Sequence, residues 1–304
     1  MLSWSRNFFA AAFAFAIESV CADEPAGSAS HATSTIARAA NRFEIKSFPP
    51  LRLWIRRAYP DGLDYAVFVQ PSAEPGEDIK LDLARVPKEG IVTDLEPESA
   101  TLVVAFAGLK GFLGGLPAFE FRQILSSVDV KSAFLRDHYA AWYHRGVVDV
   151  GPGIDSVVDR LRLLENEADR IVMIGNSAGG YAALLFGALL GREAHAFSPQ
   201  TFIDPDLLHA AGDDRWDEEL EALLASGRFD RRYANLAPLL AESEGSFHLY
   251  YGALNDMDAK HVDHVRAIEN VTAHEIEDSD HKVVKRLRDS GWLRSFLLGM
   301  AEPR

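Results

Sequence analysis

The feature that most constrains the fold is an alternation of short apolar runs and helical patterns between residues 102 and 298. Residues 102–107 (LVVAFA) and 171–174 (IVMI) are continuously apolar, which is typical of strands buried on both faces. Residues 154–166 instead carry apolar side chains at helical spacing. Strands that alternate with helices favour a mostly parallel sheet covered by helices on both faces. We therefore predict an α/β fold.

The same patterns locate the other elements. The predicted strands are 51–57, 65–70, 102–107, 131–135, 171–174, 194–197, 247–251 and 271–276. The predicted helices are 117–126, 154–166, 179–190 and 283–298. No helix separates the first two strands, so an antiparallel edge is expected there. Residues 201–245 interrupt the alternation with short helical pieces. We predict that they form a small helical lid over the site, with packing away from the site as the alternative.

The first 42 residues do not follow this pattern. Arg6 precedes an apolar run at 8–17, and a short polar stretch ends at Ala22, so residues 1–22 resemble a secretory signal peptide. The run of about ten apolar residues is too short to span a bilayer, which needs roughly 20. Residues 23–42 are small and polar and are predicted to be a disordered linker, leaving 43–304 as the folded domain. Cleavage of the leader would make the protein periplasmic or secreted, and retention would leave it cytoplasmic.

Composition excludes several kinds of function. The chain has 31 Lys and Arg against 45 Asp and Glu, a formal net charge of −14, which disfavours nucleic acid and anionic lipid as partners. Its one cysteine, Cys21, lies in the leader, so a disulfide within the chain and a thiolate metal cluster are excluded. Asp258, His261 and His264 have a spacing that could place metal ligands on one helical face. No further ligand cluster accompanies them, and we predict no metal and no cofactor.

A serine lies in a motif that can make it a nucleophile. Residues 175–179 read G-x-S-x-G, with an apolar strand before them and a small-residue helix after them. A serine at such a turn is held above the sheet in a strained conformation, and the flanking glycines avoid clashes. The alternative is a serine that only caps an ordinary helix. We predict that Ser177 is the nucleophile.

A serine hydroxyl needs a base, and the base needs a carboxylate. The sequence has ten histidines, but His281 stands out because it follows the last predicted strand and precedes the last helix. Asp256 and Asp258 both follow strand 247–251. Either can be the acid, although Asp258 also suits a role as helix N-cap.

The order Ser177, aspartate, His281 and the motifs GNSAGG, YGALNDMD and SDHKVV resemble those of the α/β-hydrolase superfamily over about 43–300. Other stretches, FLRDHYAAWYHRG and FSPQTFID, are similar to a poorly characterised bacterial subgroup of it. The resemblance favours Asp258 over Asp256. It also implies an oxyanion hole formed by the backbone N–H groups of Ala178 and Leu109, with Ala-Gly-Leu in place of the usual His-Gly-x.

These features predict a serine hydrolase that cleaves a carboxylic ester or a thioester through an acyl-serine intermediate. The expected partner is a small-molecule acyl substrate; neither nucleic acid nor stable membrane insertion is expected, and the oligomeric state is left open. One alternative is a serine acyltransferase that acts on a saccharide or another alcohol. Another is a binding protein without catalysis, because one fold can host many functions.

Overall fold

A computed structural model describes residues 89–109 and 119–301, together with five N-terminal strands and not the segments between them. The chain divides into two compact units, Met1–Val86 and Pro87–Arg304. The predicted leader 1–22 and linker 23–42 lie outside the described residues, and the boundaries expected for them and for the folded domain stay predictions.

The first unit contains an antiparallel sheet. Its strands are β1 (Ser47–Phe48), β2 (Arg52–Leu53), β3 (Arg56–Ala58), β4 (Asp64–Gln70) and β5 (Lys80–Arg85). Strand β4 pairs with β2 and β3 and also with β5. Two short strands occupy the place of the single strand predicted at 51–57, and β5 was not predicted.

The second unit is built on a seven-stranded sheet of order β12-β11-β10-β9-β7-β8-β6. The strands are β6 (Ile91–Asp94), β7 (Thr101–Phe106), β8 (Lys131–Leu135), β9 (Arg170–Asn176), β10 (Glu193–Phe197), β11 (Phe247–Gly252) and β12 (Val271–Ile276). All neighbours are parallel except β6, which pairs antiparallel with β8 at the edge.

Nine α-helices accompany this sheet in the described residues. They are α1 (Arg122–Leu125), α2 (Gly153–Leu164), α3 (Ala178–Leu190), α4 (Pro205–Ala211), α5 (Asp217–Ala225), α6 (Ala237–Glu242), α7 (Asp256–Asp263), α8 (Val283–Asp289) and α9 (Trp292–Ala301). Two short 3₁₀ turns, Glu165–Glu167 and Arg231–Tyr233, complete the set. No helix among the described residues is both long and apolar enough to cross a membrane.

Two helix predictions need correction. The structure describes residues 119–126 of the helix expected at 117–126, and only the single turn α1 is helical there, because Phe121 has a φ of 66° that an α-helix does not allow. The helix expected at 283–298 is two helices, α8 and α9. Gly291 separates them with a φ of 79°, in the left-handed region that commonly ends a helix.

The sheet is buried on both faces, which confirms the predicted fold class. Along β7, Leu102, Val104 and Phe106 pack with α2 and α3 on one face. Val103 and Ala105 pack with α1, α8 and α9 on the other face. Alternating side chains therefore face two separate cores, and both need apolar residues.

The insert at 201–245 contains α4, α5 and α6. Its buried side chains Leu208, Leu223 and Leu240 belong to the same core as one face of the sheet. The insert thus adds to the core of the second unit, and its action as a lid stays a prediction.

Candidate active site

Ser177 lies in the tight turn between β9 and α3. Its φ of 55° and ψ of −119° are outside the regions that side chains normally allow, and strain of this kind concentrates at functional sites. A Cβ on Gly175 would lie 2.0 Å from the Gly179 oxygen, and one on Gly179 would lie 2.2 Å from the Phe106 oxygen. The two motif glycines are therefore required by the close approach of strand and helix.

Three side chains from separate segments of the chain form a hydrogen-bonded chain. His281 Nε2 lies 3.2 Å from Ser177 Oγ. His281 Nδ1 lies 2.8 Å and 2.9 Å from the two carboxylate oxygens of Asp258. In this arrangement Nδ1–H donates to Asp258, which leaves Nε2 able to accept from the serine hydroxyl. Asp258 is 1% exposed, whereas the side chain of His281 is 35% exposed. The hydroxyl end of the chain is therefore the end that a substrate can approach.

The structure distinguishes the two aspartates that the sequence left open. Asn255 caps α7, because its side-chain oxygen accepts from the backbone N–H groups of Met257 and Asp258. Asp256 is exposed in the first turn of the helix. Asp258 is two residues further along, and residues at that spacing do not share a helix face. Asp258, and not Asp256, therefore lies against His281.

An arginine from the insert holds Asp258 from the other side. Arg215 Nη1 donates to Asp258 at 3.2 Å, and the same guanidinium donates to both oxygens of Asp213 at 2.7 Å and 2.8 Å. Asp213 also accepts from His261 Nε2 at 3.0 Å. Burial alone would raise the pKa of Asp213, but the bonds from Arg215 and His261 outweigh it and lower that pKa. Sequence reasoning missed Arg215, which belongs to no motif.

The two predicted oxyanion donors belong to segments close to Ser177. Ala178 is the first residue of α3 and is buried. Leu109 follows Gly108, where a Cβ would lie only 4.0 Å from Ser177 Cβ. The loop after β7 therefore comes close to the serine turn. The role of both N–H groups stays a prediction.

Glu120 is a buried carboxyl group beside this loop. Its Oε2 accepts from the backbone N–H of Gly108 at 3.2 Å, and its Oε1 accepts from Asn176 Nδ2 at 3.4 Å. Burial raises the pKa of Glu120 to about 7, against the opposing effects of these two bonds and of the charge on His281. No sequence signal marks this glutamate, because its partners come from two other strand ends.

The three residues whose spacing could suit metal ligands, Asp258, His261 and His264, do not point to one common site. Asp258 faces His281, His261 faces Asp213, and His264 Nε2 lies 2.8 Å from Asn235 Oδ1. These side chains therefore have separate partners and do not share one ligand site.

The fold and the positions of these residues define the structural class of the protein. A strained serine follows a central parallel strand, an aspartate follows a later strand, and a histidine follows the last strand. This is the architecture of the α/β-hydrolase fold, as the sequence motifs predicted.

No protein-family model and no curated protein matches this chain. Solved structures with a similar fold include the capsule O-acetyltransferase of Neisseria meningitidis serogroup A, at 11% identity over 78% of this chain and 94% of that one, with a TM-score of 0.48. Acetyl xylan esterase 1 from Thermoanaerobacterium sp. JW/SL YS485 is similar at 13% identity over 88% and 92%, with a TM-score of 0.46. A thermostable carboxylesterase cloned from a metagenomic library has 14% identity over 89% and 95%, with a TM-score of 0.43.

Proposed function

We propose that this protein is a serine hydrolase that cleaves a carboxylic ester or a thioester through an acyl-serine intermediate. The observation that carries the proposal is the hydrogen-bonded chain from Ser177 through His281 to Asp258. A hydroxyl, an imidazole and a carboxylate in this order are the parts that nucleophilic catalysis by serine requires.

In the first half of the reaction, Ser177 Oγ attacks the acyl carbon while His281 Nε2 takes the hydroxyl proton. The tetrahedral intermediate then breaks its bond to the leaving alcohol or thiol, which receives that proton from His281. Asp258 accepts the Nδ1–H bond throughout, which fixes the tautomer of His281 and stabilises its charged form. The product of this half is an acyl-serine.

In the second half, His281 removes a proton from a water molecule, and the oxygen attacks the acyl carbon. The bond between the acyl carbon and Ser177 Oγ then breaks. His281 returns the proton to Ser177 Oγ, and a carboxylic acid leaves. The exposed side of His281 gives water a route to this position.

We assign the stabilisation of the negative carbonyl oxygen to the backbone N–H groups of Ala178 and Leu109. The start of α3 adds partial positive charge at the same place. A well-placed donor of this kind lowers a barrier by about 3 kcal/mol.

Turnover of aryl esters with acyl chains of increasing length tests this proposal. We expect wild type and Asp256→Asn to turn over and Ser177→Ala and His281→Ala to lose turnover, with the variants still folded by circular dichroism. A Ser177→Ala variant with the rate of the wild type would contradict the proposal.

The same assay separates the alternatives. With an added alcohol or saccharide as acceptor, a hydrolase releases free acid as its main product, and an acyltransferase forms a new ester. A folded protein that turns over no ester and forms no acyl-serine would instead be a binding protein.

A further inference from the structure

Three histidines lie together on the face of the sheet that packs against α9, away from the hydrogen-bonded chain at Ser177. His195 on β10 pairs in register with His248 on β11. On the next strand, His274 pairs with Tyr250 of β11. The His195 and His248 rings stack with their centres 4.6 Å apart, and His195 also contacts Phe296 of α9.

A carboxylate completes the cluster. Glu193 Oε1 lies 3.0 Å from His195 Nε2. One ligand atom from each of Glu193, His195 and His248 lies within 4.8 Å of the other two. Zinc binds nitrogen and oxygen at about 2.0 to 2.2 Å, so two ligands of one ion are at most about 4 Å apart. The limit of 4.8 Å is within about 1 Å of this spacing, so side-chain rotation would bring all three atoms onto one ion.

The Nδ1 atoms of both histidines already have partners. His195 Nδ1 lies 3.2 Å from Tyr250 Oη, and His248 Nδ1 lies 3.3 Å from His274 Nε2. Metal-binding histidines are usually oriented in this way by a bond at the nitrogen that does not bind the metal. The cluster thus contains a supporting set of contacts as well as ligands.

The two carboxylate oxygens of Glu193 have different partners. Arg170 bonds to Oε2 of Glu193, while Oε1 faces His195.

We propose that Glu193, His195 and His248 bind one divalent transition-metal ion of the zinc type. The ion links β10 to β11 at the beginning of the parallel strands, whereas Ser177 lies at their end, where its N–H donates to Phe197. Its role is to stabilise the pairing of β10 with β11 and the packing of α9. The sequence prediction was no metal, and this proposal differs from it because the proposed ligands come from two separate strands and leave no spacing motif in the sequence.

Zinc titration of the full chain, stripped of metal with a chelator and then freed of the chelator, tests the site. Calorimetry should give one ion per chain, and zinc should raise the melting temperature because it binds the folded state. His274→Gln removes a supporting contact and should weaken binding by roughly 10- to 100-fold. His248→Gln removes a ligand and should weaken it further.

His209→Gln is the matched control, because His209 is exposed on α4 outside the cluster. It should bind zinc like the wild type. Absence of saturable binding at one ion per chain would overturn the proposal and leave the histidines as packing only. Equal binding by wild type and His248→Gln would also overturn it. If His248→Gln does not fold, Glu193→Gln takes its place, because it also removes one ligand and should bind zinc more weakly than the wild type.

Discussion

Ionisation of Glu120 has a cost that can be measured. Burial raises its pKa from 4.5 to about 7, a difference of about 2.5 units, and each unit corresponds to about 1.4 kcal/mol. The unfolded chain loses this proton near pH 4.5, whereas the folded protein keeps it until about pH 7. The contribution of Glu120 to the free energy of unfolding is therefore fully present below pH 4.5 and is lost as the pH rises through 7, a total of about 3 kcal/mol.

Glu120→Gln should remove this dependence and keep the hydrogen bonds. The amide oxygen of a glutamine can accept from Gly108 in place of the carboxylate. Asn176 Oδ1 has no hydrogen-bond partner, so after rotation of its amide it can accept from the glutamine NH₂. The variant should thus gain stability over the wild type as the pH rises.

Urea unfolding at pH 5 and pH 8 measures the effect. Other groups titrate equally in both proteins, so the relevant quantity is the difference in unfolding free energy between variant and wild type. This difference should be about 2 to 3 kcal/mol larger at pH 8 than at pH 5. A difference that is the same at both pH values would refute the assignment of a raised pKa to Glu120.

Three further substitutions, two of them with a control substitution, test the site and the turn. Asp258→Asn should lower kcat for an ester by about 10⁴-fold, while Asp256→Asn, which changes an exposed residue, should not. Arg215→Met leaves two buried carboxylates without their cation and should lower the unfolding free energy in urea by about 3 kcal/mol; an unchanged value would contradict the ion-pair account. Gly179→Ala places a Cβ 2.2 Å from a backbone oxygen of β7 and should cost more than about 4 kcal/mol of unfolding free energy. Gly299→Ala, where a Cβ meets nothing within 4 Å, should change it by less than about 1 kcal/mol.

The sheet could be predicted because its physical signal is local. Strands β7 and β9 are continuously apolar because both of their faces are buried, and a short window of sequence shows this. The boundary between α8 and α9 was not predicted, because the apolar spacing continues across it. The break depends on the backbone of Gly291, which sequence periodicity does not report.

The candidate site was predictable in part for a similar reason. Ser177 lies in a local motif, and the place of His281 follows from the order of strands. The choice between Asp256 and Asp258 depends on the phase of α7, which Asn255 sets by capping. Glu120 and Arg215 reach the site from distant segments, and only the folded structure brings them there.

Covalent labelling with a fluorophosphonate tests the central claim most directly. The account predicts one label per folded chain, located on Ser177 by peptide mass spectrometry, and much slower labelling of His281→Ala because the serine then lacks its base. Folded protein that carries no label, or a label on another residue that His281→Ala does not slow, would contradict it.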